Sequence, residues 1–206
     1  MQIHSRFQIF NTKCTWVERF FVILLGTTLL FVLFRFLNLS QITSLDILSV
    51  LFLILLICTL AFLAYFDFKK MEVHNTVSLI LMISLLSLNT LLFLLKGSNT
   101  EILIFNQWSF SPYQNMLSTL ILGSIFQLIV LISKEKALGQ GDVRIAIITG
   151  LLIGFNNLIY WAYIAVFSAL IYGLLIASKR KKFKNLKIPF VPFMVLGIIT
   201  LILINL

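Results

Sequence analysis

Apolar residues in this chain fall in long runs with few polar interruptions, not at the alternate or three-to-four-residue spacing of a half-buried strand or helix. Seven runs stand out: Phe20 to Leu37, Ile47 to Phe66, Val77 to Leu95, Met116 to Ser133, Val143 to Phe155, Leu158 to Ala177 and Ile188 to Leu206. A helix crossing a hydrocarbon layer of roughly 30 Å needs about 20 such residues, and a soluble core does not. Each run is predicted to be a helix, because a helix satisfies its own backbone N–H and C=O groups in lipid and no run alternates as a strand would. The fifth has only 13 residues before Asn156-Asn157, so it is either a short helix or the first half of one kinked element reaching Ala177. The pattern predicts an all-α, polytopic membrane bundle of about seven transmembrane helices. Residues 1–46 hold an N-terminal cytoplasmic segment, an anchor helix and a short outer loop; residues 47–206 form a six-helix membrane domain.

Basic residues orient this bundle, because short loops rich in Lys and Arg stay in the cytoplasm. Arg6, Lys13 and Arg19 precede the first run, Lys69 and Lys70 follow the second, Lys134, Lys136 and Arg144 surround the connection after the fourth, and six more lie from Lys179 to Lys187. All fall on one side, and of 16 basic residues only Arg35 and Lys96 lie elsewhere. The N-terminus is therefore predicted to be cytoplasmic, in a multi-pass protein of the cell's inner (plasma) membrane. The run Phe20 to Leu37 is longer than a usual signal core and no small-residue cleavage site follows it, which predicts a retained anchor. Composition agrees, with 60% hydrophobic residues, 11% charged residues and a mean hydropathy of +1.07. Cytoplasmic loops facing anionic lipid account for the net charge of +9, so membrane lipids and not nucleic acid are the expected partners.

In such a chain carboxylates are costly and mark function. Asp67 ends the second run, and Asp142 opens the fifth within Gly139-Gln140-Gly141-Asp142-Val143-Arg144. The topology puts both at cytoplasmic helix ends, where they can meet; an odd change in the span count between them would put them on opposite faces. Asp67 sits at a helix C-terminus, where the helix dipole disfavours negative charge, although a solvated loop residue balanced by Lys69 and Lys70 would look similar. Asp142 after a glycine turn also fits a plain N-cap. Gly139 and Gly141 permit turns closed to other residues and would let a substrate backbone come near. Thirteen helical residues cover roughly 20 Å of a layer of about 30 Å, so Asp142 is predicted to lie below the membrane surface in a watery cavity. Two carboxylates too close to ionise together can divide the work of hydrolysis. One takes a proton from water while the other, protonated, polarises the scissile carbonyl. Asp67 and Asp142 are the candidate catalytic pair.

These residues resemble the type IV prepilin peptidases, membrane aspartic endopeptidases that cut the leader from pilin-like precursors on the cytoplasmic side. The family's G-x-G-D-x-K/R motif is met at every fixed position by Gly139 to Arg144. Its first motif, roughly D-x-x-x-x-x-I-P-N, reads here Asp67-Phe68-Lys69-Lys70-Met71-Glu72-Val73-His74-Asn75: Asn75 agrees, Val73 is conservative and His74 stands in place of proline. Ile188-Pro189-Phe190-Val191-Pro192-Phe193 looks like the proline-containing start of the family's last helix. The resemblance covers about Ile47 to Leu206 and implies a six-helix core, with the aspartates at the end of its first helix and the start of its fourth. It implies a metal-free and cofactor-free aspartic endopeptidase acting on prepilin-like precursor proteins of a type IV pilus or protein secretion system. Gly139, Gly141, Arg144 and Asn75 would shape its site. Many members also carry a cysteine-rich cytoplasmic insert and methylate the new N-terminus. The connection Asn38 to Asp46 is short and lacks cysteine, so peptidase activity without methyltransferase activity is expected.

Other features read as structural. Cys14 and Cys58 lie at different depths and there is no Cys-x-x-Cys pair; His74 has no second ligand for a metal. Gly150 and Gly154 form a small-xxx-small pair suited to close helix approach, and Glu101 to Tyr113, with Trp108, belongs at the outer interface. Two further readings compete. Tyr65-Phe66-Asp67 approaches the Tyr-Asp motif of presenilin and signal peptide peptidase, intramembrane proteases, with one inserted Phe. A non-catalytic transporter or assembly scaffold would show repeated halves around a mid-membrane site, whereas here the ionisable residues gather at one face and no repeat is visible.

Overall fold

The structure, a computed structural model, describes residues 26–27, 44–96, 102–104, 108–136, 138–180 and 188–205. The expected anchor helix Phe20 to Leu37 lies outside the described residues apart from Gly26 and Thr27. Among the described residues six long elements follow one another: α1 (Ser44–Lys70), α2 (Asn75–Lys96), α3 (Pro112–Ser133), α4 (Gln140–Ile153), α5 (Leu158–Arg180) and α6 (Val191–Asn205). Four of them, α1, α2, α3 and α5, are long and apolar enough to cross a membrane. The fold is thus a polytopic helical membrane bundle. Within the segment expected at the outer interface, β1 (Ile102–Ile104) and β2 (Trp108–Phe110) pair as an antiparallel ribbon, with Leu103 opposite Ser109. Apolar and aromatic triplets suit a strand, and pairing satisfies their backbone groups.

The fifth and sixth runs are separate helices and not one kinked element. Between them Gly154 adopts φ 69° and ψ 171°, a region open essentially to glycine alone. Gly154 therefore caps α4, while Gly150 makes the close approach: a Cβ on it would lie 2.5 Å from Thr119 Cα of α3. Several hydroxyls on the long helices return to their own backbones, as Thr59 does to Leu56 O and Thr90 to Leu86 O, which removes the cost of holding them in an apolar medium.

α4 and α6 form the centre. α4 packs on α2, α3 and α6, and α6 packs on α1, α4 and α5. Ile145, Ile148 and Leu151 of α4 and Met194, Val195 and Ile198 of α6 are fully enclosed. Leu53, Ile57, Leu60 and Leu63 supply the inward face of α1, and Trp161 that of α5. Trp161 Nε1 donates to Met194 O at 3.0 Å, which satisfies the one polar atom of the ring. The outer helices present Leu55, Phe62, Ile80, Leu120, Tyr163 and Leu170 outward, a surface matched to lipid. At 14 and 15 residues, α4 and α6 are each only about 21–23 Å long and cannot span a layer of about 30 Å when upright.

Candidate active site

Asp67 lies in the last turn of α1, which continues to Lys70, beyond the end of the apolar run. The helix stops where Met71 takes a left-handed φ of 53°, its N–H still bonded to Asp67 O at 2.8 Å. Lys69 and Lys70 fold back over the rings of Tyr65 and Phe66, 4.6 and 4.5 Å from their centroids, and complement the negative end of the helix. The Asp67 side chain turns the other way and is 5% exposed. Its Oδ2 accepts the Val191 N–H at 3.1 Å. Phe193 and Met194 direct their N–H groups to Phe190 O and Pro192 has none, so Val191 is the donor that α6 leaves for the carboxylate. The unfavourable dipole of α1 is thereby offset by the positive end of α6.

Asp142 is not the cap residue of α4 but sits in its first turn, three residues after the cap Gly139. Its Oδ2 accepts the Gly139 N–H at 3.0 Å, the backward arm of a capping box. Asp142 lies just ahead of the apolar stretch that opens at Val143. Burial raises its carboxyl above the ordinary 3.8, against a lowering by the Gly139 N–H. The two carboxylates lie within electrostatic reach of each other. Both sit at positive helix ends, Asp142 on α4 and Asp67 against α6. Among the described residues Oδ1 of each accepts no hydrogen bond.

The remaining motif residues build the frame. A Cβ on Gly141 would lie 2.6 Å from Val73 Cγ2 and 2.7 Å from Val73 Cβ, so Val73 fills the space that a substrate backbone was expected to use. Glycine there locks the loop after Asp67 onto the turn before Asp142. Gly139 is extended, with φ −92°, and its missing Cβ faces nothing closer than Asp142 Oδ2 at 3.9 Å, so its local conformation does not require glycine. His74, expected as a plain loop residue, caps α2: its Nδ1 accepts the Val77 N–H at 3.4 Å, and its ring packs on Phe62 and Phe66. Asn75 is exposed in the first turn of α2 and Arg144 is half-buried on α4; among the described residues neither side chain bonds to an aspartate. Among the described residues no three His, Cys, Asp or Glu side chains gather as a metal site requires.

The model of the type IV leader peptidase family matches residues 54–174, more than half of the chain. The chain belongs to that family. No curated protein and no solved structure matches it. The matched span carries both aspartates, Val73 and Gly141, while Val191 lies beyond it. Three parts of the candidate site carry no direct signal in the sequence: Val73 as the partner of Gly141, His74 as a cap and Val191 as the donor to Asp67. The paired prolines Pro189 and Pro192, which thin out the N–H groups at the start of α6, were the available signal for the last.

Proposed function

We infer that this leader peptidase is an aspartic endopeptidase that removes the leader of prepilin-like precursors at the cytoplasmic face of the inner (plasma) membrane, with Asp67 and Asp142 as its catalytic pair. One observation carries the reading: two carboxylates from distant parts of the chain lie within electrostatic reach of each other at the positive ends of two short inner helices, each with one oxygen uncommitted. In the reaction, the ionised member of the pair takes a proton from water as hydroxide attacks the scissile carbonyl carbon, and the protonated member donates to the carbonyl oxygen. Collapse of the tetrahedral intermediate breaks the C–N bond: the proton taken from water passes to the leaving nitrogen, and a hydroxyl of the intermediate returns its proton to the other carboxylate as the C=O re-forms, so the pair again holds one proton. The pair titrates as a unit, so the proton belongs to both. The basic residues at the Asp67 and Asp142 ends, Lys69, Lys70, Lys134 and Lys136, support a cytoplasmic placement of that rim. A precursor would lay its hydrophobic helix beside the bundle and present its leader junction there.

Asparagine at either position keeps the shape and still accepts the Val191 or Gly139 N–H, but it cannot take a proton from water. Asp67→Asn and Asp142→Asn should each lower precursor cleavage by at least 10³-fold in membranes at matched expression, given the loss of a general acid–base group and of its partner's function. Cleavage at the parent rate by either variant removes that residue from the mechanism.

A further inference from the structure

A second polar cluster is buried where the last turns of α4 meet α2 and α3. Asn89 of α2 and Asn115 of α3 are 0% and 2% exposed, and Asn115 Nδ2 donates to Asn89 Oδ1 at 3.1 Å. Asn89 Nδ2 donates to Leu85 O of its own helix at 2.9 Å and across to Leu151 O of α4 at 3.3 Å. Both N–H bonds and the carbonyl of Asn89 are used, and the reversed amide would set its oxygen against two carbonyl oxygens.

The need for this cluster follows from the length of α4. The helix ends after about 21 Å, short of a layer of about 30 Å, so its last carbonyls emerge where water does not reach them and other donors must. Asn89 serves Leu151 O, and Asn157 Nδ2 serves Ile153 O at 3.2 Å. Gly154 completes the arrangement, since a Cβ on it would lie 3.0 Å from Asn115 Oδ1. Gly150 holds α4 close against Thr119 of α3, and the amide bond ties the Leu151 carbonyl, near the end of α4, to α2.

We propose that Asn89, oriented by Asn115, is a positioning residue: it pins the far end of α4 and so sets the depth at which Asp142, nine residues earlier, faces Asp67. This rests on the proteolytic reading above for its effect on catalysis, but the pin itself is a property of the helix. A continuous hydrogen-bonded helix moves as a rod, so release at Leu151 is felt at Asp142.

The test uses the full chain in membranes, with Asn89→Leu, Asn115→Leu and the double variant. For a prepilin-like precursor, Asn89→Leu is expected to lower kcat at least tenfold with KM within twofold and to shift the pH profile of cleavage. The double variant should be no slower than the worse single one, because the two amides act as a unit. A readout free of activity places cysteines at Gly123 and Ile147, where a Cβ on Gly123 would lie 3.2 Å from Ile147 Cγ1, in a chain with Cys14 and Cys58 changed to Ser. Oxidative cross-linking of α3 to α4 should slow at least fivefold with Asn89→Leu. An unchanged cross-linking rate overturns the pin, whatever happens to kcat, and so does an unchanged kcat in a parent that cleaves. A parent that cleaves nothing, while Asn89→Leu slows the cross-link, sinks the proteolytic reading and leaves the pin standing. Should Asn89→Leu fail to accumulate, Asn89→Gln is put through both assays, and parent-like values of kcat and cross-linking for Asn115→Leu beside it overturn the proposal.

Discussion

Alanine at Gly141 would drive a methyl group into Val73. Its Cβ would start 2.6 Å from Val73 Cγ2 and 2.7 Å from Val73 Cβ, whereas carbon atoms settle at roughly 3.5–4.0 Å. The two segments must therefore part by about 1 Å. A change of rotamer gives no relief, because the Cβ of Val73 is itself one of the clashing atoms and its χ1 is stiff. Overpacking of this kind costs about 1–3 kcal/mol. The displacement falls between the loop that follows Asp67 and the residue next to Asp142, so it opens the pair directly, and a misplacement of about 1 Å lowers a rate on the order of 100-fold. The assay is cleavage of a prepilin-like precursor by purified Gly141→Ala in reconstituted membranes, with thermal unfolding measured alongside. The expected result is kcat/KM down about 100-fold and a midpoint lower by several degrees. Val73→Gly in the same chain removes both clashing atoms and should restore most of the rate, while Val73→Ala retains the Cβ and should restore little. Parent-like cleavage by Gly141→Ala, or equal rescue by the two second-site changes, refutes the reasoning.

Three further outcomes follow from the same geometry. Asp142 holds its proton more tightly folded than unfolded, so its cost to stability is absent below its ordinary value of 3.8 and grows as pH rises through the raised folded value. Asp142→Asn should thus unfold at a higher temperature than the parent at pH 8 and at the same temperature at pH 3; a lower midpoint at pH 8 contradicts this. Ser118 Oγ is buried with no partner among the described residues, so Ser118→Ala should stabilise by about 1 kcal/mol, and a loss in a denaturation series would show that the hydroxyl is satisfied in the membrane. Trp161→Phe removes the donor to Met194 O and is expected to cost about 1–3 kcal/mol, read as a lower midpoint; an unchanged midpoint would place no value on that bond.

The helices were legible because a membrane permits few alternatives: long apolar runs gave α1, α2, α3 and α5 to within a few residues at most ends. The ends were blurred by side chains that reach back. Hydropathy stops at Phe66, but the helix runs one turn further, where Lys69 and Lys70 set their ammonium groups over the rings of Tyr65 and Phe66. The ribbon of β1 and β2 was hidden because triplets are too short to form a pattern. Asp67 and Asp142 were visible as charges in apolar surroundings, and the need for Gly141 was visible too. Its reason was not, because the side-chain carbons it avoids belong to Val73, far away in sequence. The bond from Val191 left only an indirect trace, the prolines Pro189 and Pro192 that thin out the N–H groups at the start of α6, because a backbone donor carries no side-chain signature of its own.

That bond makes Asp67 both a candidate reagent and the anchor of α6. An ionised carboxylate grips an N–H more strongly than a protonated one does, so the charge state at Asp67 is written onto a single backbone amide. Isotope labelling of Val191 would turn its chemical shift into an internal gauge of proton occupancy, followed as pH or an inhibitor changes and without any substrate being turned over.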